Sequence, residues 1–369
     1  MKTALVYDRV NKWGGAERVL LALHAIFPSA PIFTAVYDRR RASWADVFTV
    51  HPSFLQRIPG AAGAHEPLPL LTPLAFESFD FEGYDLVISV TSAEAKNIIT
   101  RPGTLHLCYC LTPTRYLWSG FDQYKKQPGL GAISGLASVG LRMFAPMLRR
   151  WDLIAASRPD YYVAISRHVK KRIEKYYHRD VEAVIYPPVD TKKFSPRNGK
   201  GENGEYFLTV SRLVSYKRLD VIIDAFNKLA LPLVIIGNGR QKRELSAKAG
   251  PTVQIIDRYL TDSELVGYYE GCRAFVYAAD EDFGLAAAEA QAIGKPVIAY
   301  RHSGVSEIVA EGVTGVLFDE QTPSAVANAV TQYMTMTISP VACRKQVLDM
   351  SEESFANRIR SLVFQLKNK

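Results

Sequence analysis

The sequence predicts an α/β protein built from two doubly wound domains, each with a parallel sheet covered by helices on both faces. Three observations support this class. The 369 residues exceed what one ordinary α/β domain needs. Short apolar runs of strand length alternate with helical patterns along the chain. The alternation breaks at residues 186–190, which contain two prolines, and at the polar stretch from Ser195 to Glu205, and then restarts.

We therefore expect an N-terminal Rossmann-like domain over residues 1–187 and a C-terminal one over residues 188–350. The tail from Ser351 to Lys367 repeats apolar residues at helical spacing, which predicts a final helix that packs back on the N-terminal domain. Its buried stripe should consist of Phe355, Ile359, Leu362, Val363 and Leu366.

The first domain opens with a strand from Thr3 to Tyr7, a loop containing Gly14 and Gly15, and an amphipathic helix. Further buried strands follow with helices between them, and Ser166 is placed to cap one of those helices. The predicted strands are Ile32–Val36, Leu86–Val90, Leu105–Cys110 and Tyr162–Ile165.

The second domain repeats this alternation. Thr261 and Glu264 form the pattern of a capping box, and Gly294 is placed to end a helix. The predicted strands are Tyr206–Val210, Leu233–Ile236, Val253–Ile256, Ala274–Ala278 and Val297–Tyr300. Helices are predicted over Leu219–Leu229, Gln241–Ala249 and Leu285–Ile293, and from about Thr261.

Composition narrows the class of protein. Hydrophobic residues at 48% and charged residues at 22% are typical of globular proteins, no apolar run approaches membrane-spanning length, and the start lacks a signal-peptide cleavage site. We expect a cytoplasmic protein. The four cysteines are too few and too irregularly spaced for a disulfide framework or a zinc site, so buried thiols are expected.

A net charge of +8 permits nucleic acid, an anionic membrane surface or phosphorylated ligands as partners. The densest basic stretch, residues 167–172, has no aromatic platform or zinc-finger spacing around it, which argues against nucleic acid. A solvated helix face is the leading interpretation and a lipid-headgroup patch the alternative. Segment Gly135 to Trp151 could also lie on a membrane, although burial within the first domain is the leading expectation.

Glu281-Asp282-Phe283-Gly284-Leu285 lies between a predicted strand and an alanine-rich helix. Open α/β sheets bind ligands at this end of their strands. The backbone amides of Phe283, Gly284 and Leu285 would point from the helix start toward a polar ligand. Glu289 follows within the helix among small apolar residues, where a carboxylate needs hydrogen-bond donors such as ribose hydroxyls. The alternative is that Glu289 faces solvent.

A second loop, Ser211 to Arg218, follows the first strand of the second domain. Arg212 and Lys217 lie five residues apart there and could converge on a diphosphate, although basic loops are usually solvated. Gly237 and Gly239 follow the next strand, where they permit either a ligand's close approach or a tight turn.

Together these segments resemble the retaining glycosyltransferases of family 4, which have the GT-B fold of two domains facing across a cleft. The resemblance is carried by Gly14-Gly15-Ala16-Glu17, by the loop of Arg212 and Lys217, by Gly237-Asn238-Gly239, and above all by Glu281 to Gly284 with Glu289. Residues 84–89 and 108–118 resemble bacterial mannosyltransferases that build O-antigen and related polysaccharides on lipid carriers.

The resemblance implies transfer of mannose or a related hexose from a nucleoside-diphosphate sugar, GDP-mannose by likeness, to a lipid-linked saccharide. No metal or other cofactor is implied. Arg212 and Lys217 would hold the diphosphate, Glu289 the ribose, and Glu281 with the amides after it the sugar. Gly14-Gly15 would approach the diphosphate from the opposite domain, and Arg258-Tyr259 would line the base pocket.

One position departs from the family pattern. Leu111 stands where the family carries a histidine that contacts the 6-hydroxyl of the donor sugar. The chain could be a mannosyltransferase that tolerates leucine, which is the leading interpretation, a transferase of a 6-deoxyhexose such as rhamnose, or a non-catalytic donor-binding subunit. Substitution by His106 is disfavoured because period-two counting places it on the opposite face of its strand.

Two further alternatives stay open. Arg115, Tyr116 and Trp118 could line an acceptor or sugar pocket with Leu111, or could be packing beside a strand end. A sugar-nucleotide 2-epimerase shares the architecture, but the spacing of Glu281 and Glu289 and the loop of Arg212 and Lys217 argue against it.

Overall fold

The computed structural model describes residues 1–63, 70–126, 134–196 and 204–368. Within it the chain divides into two compact units. The first comprises Met1–Tyr186 and Phe355–Lys369, and the second Pro187–Ser354. The central part of the predicted junction between Ser195 and Glu205, residues 197–203, lies outside the described residues.

The first unit is built on a seven-stranded parallel sheet. Its strands are β1 Thr3–Tyr7, β2 Ile32–Thr34, β3 Val50–Pro52, β4 Leu86–Thr91, β5 Leu105–Cys110, β6 Tyr161–Ala164 and β7 Ala183–Val184, in the order β3-β2-β1-β4-β5-β6-β7. Its helices are α1 Gly15–Ile26, α2 Thr72–Glu77, α3 Phe121–Lys126, α4 Ser134–Ala156 and α5 Arg167–Tyr177.

The second unit has a six-stranded parallel sheet. Its strands are β8 Tyr206–Val210, β9 Leu233–Ile236, β10 Val253–Ile256, β11 Cys272–Tyr277, β12 Val297–Tyr300 and β13 Gly315–Phe318, in the order β10-β9-β8-β11-β12-β13. Its helices are α6 Leu219–Leu229, α7 Lys242–Lys248, α8 Asp262–Gly271, α9 Leu285–Ala292, α10 Pro323–Met334 and α11 Pro340–Leu348; α12, Glu352–Lys367, ends the chain.

Both sheets reverse their strand order next to the first strand, between β1 and β4 and between β8 and β11. Such a switch point leaves a crevice at the carboxyl ends of the two strands, where doubly wound sheets bind ligands. Apolar side chains fill the space between the second sheet and its helices, including Phe207, Phe226 and Val276. The predicted α/β class with two doubly wound parallel sheets is confirmed.

The structure also confirms the helix caps, the helix end and the buried residues that the sequence predicts. Ser166 caps α5 by accepting a hydrogen bond from the amide of Val169. Thr261 and Glu264 form the capping box of α8, and Gly294 adopts φ +91° just after α9. The five predicted stripe residues of α12 are buried, and so are the four cysteines, which are free thiols.

Some expectations were wrong. The second strand ends at Thr34, two residues early, and α7 is one residue shorter at each end than the predicted helix. Segment Gly135 to Trp151 lies in α4 and is buried only in part, because Ala145 and Leu148 are buried whereas Met143 and Met147 are exposed. Among the described residues, no helix combines the length and hydropathy needed to cross a bilayer.

Candidate active site

The topology of the second sheet brings the two predicted site loops together. The loop of Arg212 and Lys217 leaves the carboxyl end of β8, and the loop of Glu281 leaves the carboxyl end of β11. These strands are hydrogen-bonded neighbours at the switch point. Because parallel strands end at the same edge, two segments more than 60 residues apart in sequence meet there.

Lys217, Tyr277 and Glu281 form a connected triad at this edge. Lys217 forms an ion pair with Oε2 of Glu281. Its ammonium also donates to the hydroxyl of Tyr277 at 2.7 Å, and that hydroxyl donates to the same Glu281 oxygen at 2.8 Å. Lys217 and Tyr277 are buried, whereas Glu281 is partly exposed. In the triad, two buried polar side chains thus hold the partly exposed carboxylate of Glu281.

The electrostatics of the triad fix its protonation state. Burial is the largest single influence on Lys217 and lowers its pKa, but Glu281, Tyr277 and Tyr216 together raise that pKa overall, so the lysine stays charged at neutral pH. Burial, followed by the charge of Glu281, raises the pKa of Tyr277, which keeps its proton for hydrogen bonding. One oxygen of Glu281 is therefore held by two donors, a charged ammonium and a protonated hydroxyl.

Arg212 is exposed, and it lies near the same aromatic ring as Lys217. Its guanidinium donates to the hydroxyl of Tyr216 and lies 5.8 Å from the ring centroid. The ammonium of Lys217 lies 5.0 Å from the same centroid. The two predicted cations therefore flank Tyr216, and the structure brings them together with Glu281 at one edge of the sheet.

Close backbone packing requires glycine at the two glycine positions after β9. Gly237 has φ +153°, and a Cβ on it would lie 1.8 Å from the carbonyl oxygen of Ser211. A Cβ on Gly239 would lie 2.3 Å from the carbonyl oxygen of Leu213. The loop after β9 thus packs its backbone against the loop after β8, which explains both glycines without a ligand. A donor contact by Gly237 stays a prediction.

Gly284 positions the start of α9. It adopts φ +100°, and a Cβ there would meet a methyl group of Val305 at 2.5 Å. The amide of Gly304 donates to the carbonyl of Glu281 at 2.7 Å, so the loop before α9 is held against residues 304–305. Phe283 is buried and Leu285 begins the helix. This packing fixes the backbone that carries Glu281.

Glu289 is buried inside α9, so the alternative that it faces solvent was wrong. Its Oε2 accepts a hydrogen bond from the hydroxyl of Tyr269 at 2.8 Å. Tyr269, from α8, thus supplies one of the donors that a buried carboxylate requires. Binding of a ribose by Glu289 remains a prediction.

Arg258 and Tyr259 follow β10, two strands from β8 at the same sheet edge. Arg258 pairs with Glu264 at 2.7 Å, which lowers the pKa of that carboxyl to about 2. Tyr259 is 89% exposed. The aromatic side chain is therefore accessible, as a base-stacking group would have to be, and contact of these two residues with a nucleotide base stays a prediction.

In the first unit, Gly14 precedes α1 and Gly15 opens it. Leu111 directly follows β5, and its amide donates to the carbonyl of Thr91 at 2.8 Å. His106 is buried within β5, with Nε2 2.8 Å from the hydroxyl of Ser89. Burial and the charge of Arg158 lower the pKa of His106 to about 3. His106 is therefore a neutral histidine of the core that is hydrogen-bonded to Ser89.

The aromatic residues after Leu111 form hydrogen bonds inside the protein with their polar groups. The hydroxyl of Tyr116 donates to Glu94 at 2.7 Å, and the indole of Trp118 donates to Asp152 at 2.7 Å. Both carboxylates are buried. These contacts favour the packing interpretation for Tyr116 and Trp118. Arg115, directly before Tyr116, is half-buried and also has partners within the protein.

The sequence interpretation missed two groups. Tyr277 reads as the end of an apolar strand, and nothing local indicates that its hydroxyl joins Lys217 to Glu281. Lys96 and Asp152 form a buried ion pair at 2.6 Å, and Lys96 also donates to Thr114 at 3.1 Å. Because the three segments are distant in sequence, only their tertiary arrangement reveals this support for the loop after β5.

In sequence, known proteins match only part of this chain. The family model described as Glycosyl transferases group 1 matches residues 190–349. A D-inositol 3-phosphate glycosyltransferase of Corynebacterium urealyticum is 31% identical over 188 residues, 43% of this chain and 44% of that protein. The D-rhamnosyltransferase WbpZ of Pseudomonas aeruginosa is 27% identical over 206 residues, 52% and 53% of the two chains.

An O-antigen chain mannosyltransferase C of Escherichia coli is 26% identical over 212 residues, 52% of this chain and 54% of that protein. The chain thus spans about half the length of the curated relatives it matches.

Solved structures match over almost the whole chain. The lipopolysaccharide outer core galactosyltransferase WaaB superimposes with a TM-score of 0.70 at 17% identity, covering 99% of both chains. Anabaena HepE, solved in complex with UDP and glucose, gives a TM-score of 0.71 at 18% identity and covers 98% of this chain and 99% of its own. The chain therefore has the GT-B fold, and its second unit matches the glycosyl transferases of group 1.

Proposed function

We propose that this chain is a retaining glycosyltransferase that moves mannose or a related hexose from a nucleoside-diphosphate sugar, GDP-mannose, to a lipid-linked saccharide in surface polysaccharide synthesis. The observation that carries the proposal is the triad of Lys217, Tyr277 and Glu281 with Arg212 beside it, at the switch point of the second sheet. The match of residues 190–349 to group 1 glycosyl transferases supports it, as do the complexes of HepE with UDP and UDP-glucose.

In this proposal the two cations bind the donor diphosphate. Arg212 is exposed and supplies a planar fork of donors, while Lys217 is held charged by Glu281. As the bond between the sugar and the diphosphate breaks, negative charge grows on the leaving phosphate, and fixed cations stabilise that charge without reorganising. Because two cations supply this charge, we propose transfer without a metal or other cofactor.

Glu281 orients the sugar in this mechanism. Oε2 is bound by Lys217 and Tyr277, which holds the carboxylate in an orientation from which it would accept hydrogen bonds from sugar hydroxyls. A carboxylate held in this way acts by positioning. The acceptor hydroxyl then forms the new glycosidic bond on the face that the phosphate leaves, and its proton passes to a phosphate oxygen. The configuration at the anomeric carbon is retained without a protein nucleophile.

Leu111 supports a second candidate, transfer of a 6-deoxyhexose. A leucine offers no hydrogen bond to a 6-hydroxyl but packs well against a methyl group. A protein named D-rhamnosyltransferase is among the relatives, as is a protein named O-antigen chain mannosyltransferase. A third candidate, a donor-binding subunit without catalysis, rests on Leu111 alone. For all three we propose a cytoplasmic location at the inner face of the plasma membrane, where lipid-linked acceptors are reached.

A thermal-shift screen separates these candidates, because a ligand that binds only the folded state raises the unfolding temperature. GDP-mannose, GDP-rhamnose, UDP-glucose and dTDP-rhamnose should be compared at equal concentration. We expect GDP-mannose to raise the unfolding temperature most. Stronger stabilisation by either rhamnose donor would favour the 6-deoxyhexose candidate. Stabilisation without any release of nucleoside diphosphate, with or without acceptor lipid, would favour the donor-binding subunit.

A further inference from the structure

Helix α4 turns an apolar stripe toward solvent. Val139, Met143, Met147 and Ile154 are 61%, 65%, 48% and 53% exposed, respectively. Their spacing of four, four and seven residues places them on one face of the helix. Six exposed large hydrophobic side chains lie on α4, more than on any other element that the structure describes.

The opposite face of α4 is also apolar and is buried in the first unit through Ala145, Leu148, Ala155 and Ala156. An ordinary surface helix would carry polar residues on its outer face. A helix that is apolar on both faces needs a second apolar surface to cover its exposed stripe. Trp151 of α4 also donates to Glu77 of α2 at 3.0 Å, so α2, with its exposed Leu74, lies alongside.

The exposed charges on this side of α4 are positive. Arg142 and Arg150 are exposed; Arg150 lies three residues from Met147 and four from Ile154, on the same face, and Arg142 lies three residues from Val139, at the border of that face. The single acidic residue of α4, Asp152, is buried and paired with Lys96. We call the set of Val139, Arg142, Met143, Met147, Arg150 and Ile154 the outer face of α4.

We propose that the outer face of α4 binds a bilayer surface carrying anionic lipid headgroups, with the helix lying in the plane of the interface. The methionines, valine and isoleucine would enter the boundary between headgroups and acyl chains. The arginines would extend their stems along that apolar surface and place their guanidinium groups among the lipid phosphates. Apolar and basic side chains on one face match both layers of the interface.

A second copy of the chain fits this face less well. In a symmetric dimer each copy uses the same patch, so the two Arg150 side chains would approach each other near the centre of an apolar contact. Burying like charges without a counter-ion is unfavourable. An anionic bilayer supplies the counter-charge instead.

Binding to such a surface does not depend on glycosyl transfer. The inference rests on the proposed function only where it concerns the purpose of the contact, which would be to place the first unit beside a lipid-linked acceptor. Vesicle binding and donor turnover can therefore be measured separately on the same purified protein.

Co-sedimentation of the full chain with vesicles tests the inference. One set of vesicles contains phosphatidylcholine alone and the other contains phosphatidylcholine with phosphatidylglycerol. We expect binding to the anionic vesicles, and about a tenfold loss of affinity in a Met143→Gln/Met147→Gln variant. An Arg142→Gln/Arg150→Gln variant should lose most of its preference for phosphatidylglycerol.

The control changes exposed apolar residues elsewhere. Val341→Gln/Leu348→Gln alters two exposed side chains of α11 in the second unit and should bind vesicles like the unmodified protein. Unchanged unfolding temperatures would establish that all variants are folded.

Three outcomes overturn the inference. The unmodified protein could ignore anionic vesicles, or the methionine variant could bind them as well as the unmodified protein. The protein could also be a dimer that this variant converts to monomer, which would make the face an interface between copies. Vesicle binding in a protein that releases no nucleoside diphosphate would instead contradict the proposed function and support the inference.

Discussion

Tyr277 connects two of the predicted site residues through one hydroxyl group. Because its ring stacks on Phe275 with centroids 5.9 Å apart, phenylalanine at position 277 should keep the packing and lose only the hydrogen bonds to Lys217 and Glu281. Losing an oriented group of this kind should lower kcat about tenfold, with a smaller change in KM for the donor. Steady-state kinetics of Tyr277→Phe measures both constants.

A matched control is Tyr333→Phe, which removes a hydroxyl bonded to the carbonyl of Arg273, outside the triad. That variant should keep the kcat of the unmodified protein. If both variants lost the same activity, the effect of Tyr277 would be one of general stability and its positioning role would be refuted.

His106 gives the protein an acid-sensitive residue. Its pKa is lowered to about 3 in the folded state, by burial and by Arg158, whereas an unfolded histidine titrates near 6.5. The stabilising contribution is therefore complete above about pH 6.5 and falls as the pH decreases toward 3, by about 1.4 kcal/mol per pH unit. Urea unfolding between pH 7 and 4 measures this slope.

His106→Gln keeps a nitrogen near Ser89 and cannot titrate, so its slope should be shallower than that of the unmodified protein. His302→Gln alters an exposed imidazole and should leave the slope unchanged. Parallel slopes in all three proteins would rule out His106 as the source.

At the scale of single residues, the sequence predicts the site only in part. Arg212, Lys217 and Glu281 follow strand ends, and this position alone brings them together once the sheet order is known. The contact partners Tyr277 and Tyr269 could not be predicted, because their side chains reach Glu281 and Glu289 from the end of an apolar strand and from a different helix.

At the scale of elements, the buried ion pair of Lys96 and Asp152 joins α4 to the loops after β4 and β5. Lys96→Met would leave Asp152 buried without its cation, so the free energy of unfolding should fall by about 3–5 kcal/mol. Urea denaturation measures this loss.

Lys248→Met is the comparison, since Lys248 pairs with Asp224 at 2.7 Å on the surface. That change should cost less than about 1 kcal/mol. Equal losses of unfolding free energy in the two variants would show that the buried pair stabilises the first unit no more than a surface pair does.

The strands that the sequence did not reveal have a common position. β3, β7 and β13 are edge strands of their sheets, each with one neighbouring strand. β7 has two residues, and β3 is the partly exposed Val50–Pro52, so neither presents a buried apolar run. Central strands such as β1, β8 and β9 are buried on both faces, and their boundaries match the predicted ones. Burial accounts for β3 and β7 but not for β13, Gly315–Phe318, which is mostly buried and was missed, while the partly exposed edge strand β10 was predicted.

At the scale of the whole molecule, the chain returns to its first unit at its end. Phe355 of α12 is 1% exposed and meets the ring of Tyr109 edge to face, with centroids 5.8 Å apart. Phe355→Ala should cost about 3–5 kcal/mol, because it leaves a cavity in the core of that unit. Thermal unfolding should show the loss.

Phe364 lies on the same helix and is 72% exposed, so Phe364→Ala should be nearly neutral. An equally small effect of Phe355→Ala would mean that α12 adds little to the stability of the first unit.

We propose that the triad of Lys217, Tyr277 and Glu281 serves a donor site for a nucleoside-diphosphate sugar. Release of GDP from GDP-mannose in the presence of a lipid-linked acceptor tests it most directly, with the unmodified protein and Glu281→Ala compared. We expect release by the unmodified protein and a loss of at least about a hundredfold in the variant. Full activity of Glu281→Ala, or no release from any sugar nucleotide by the unmodified protein, would contradict it.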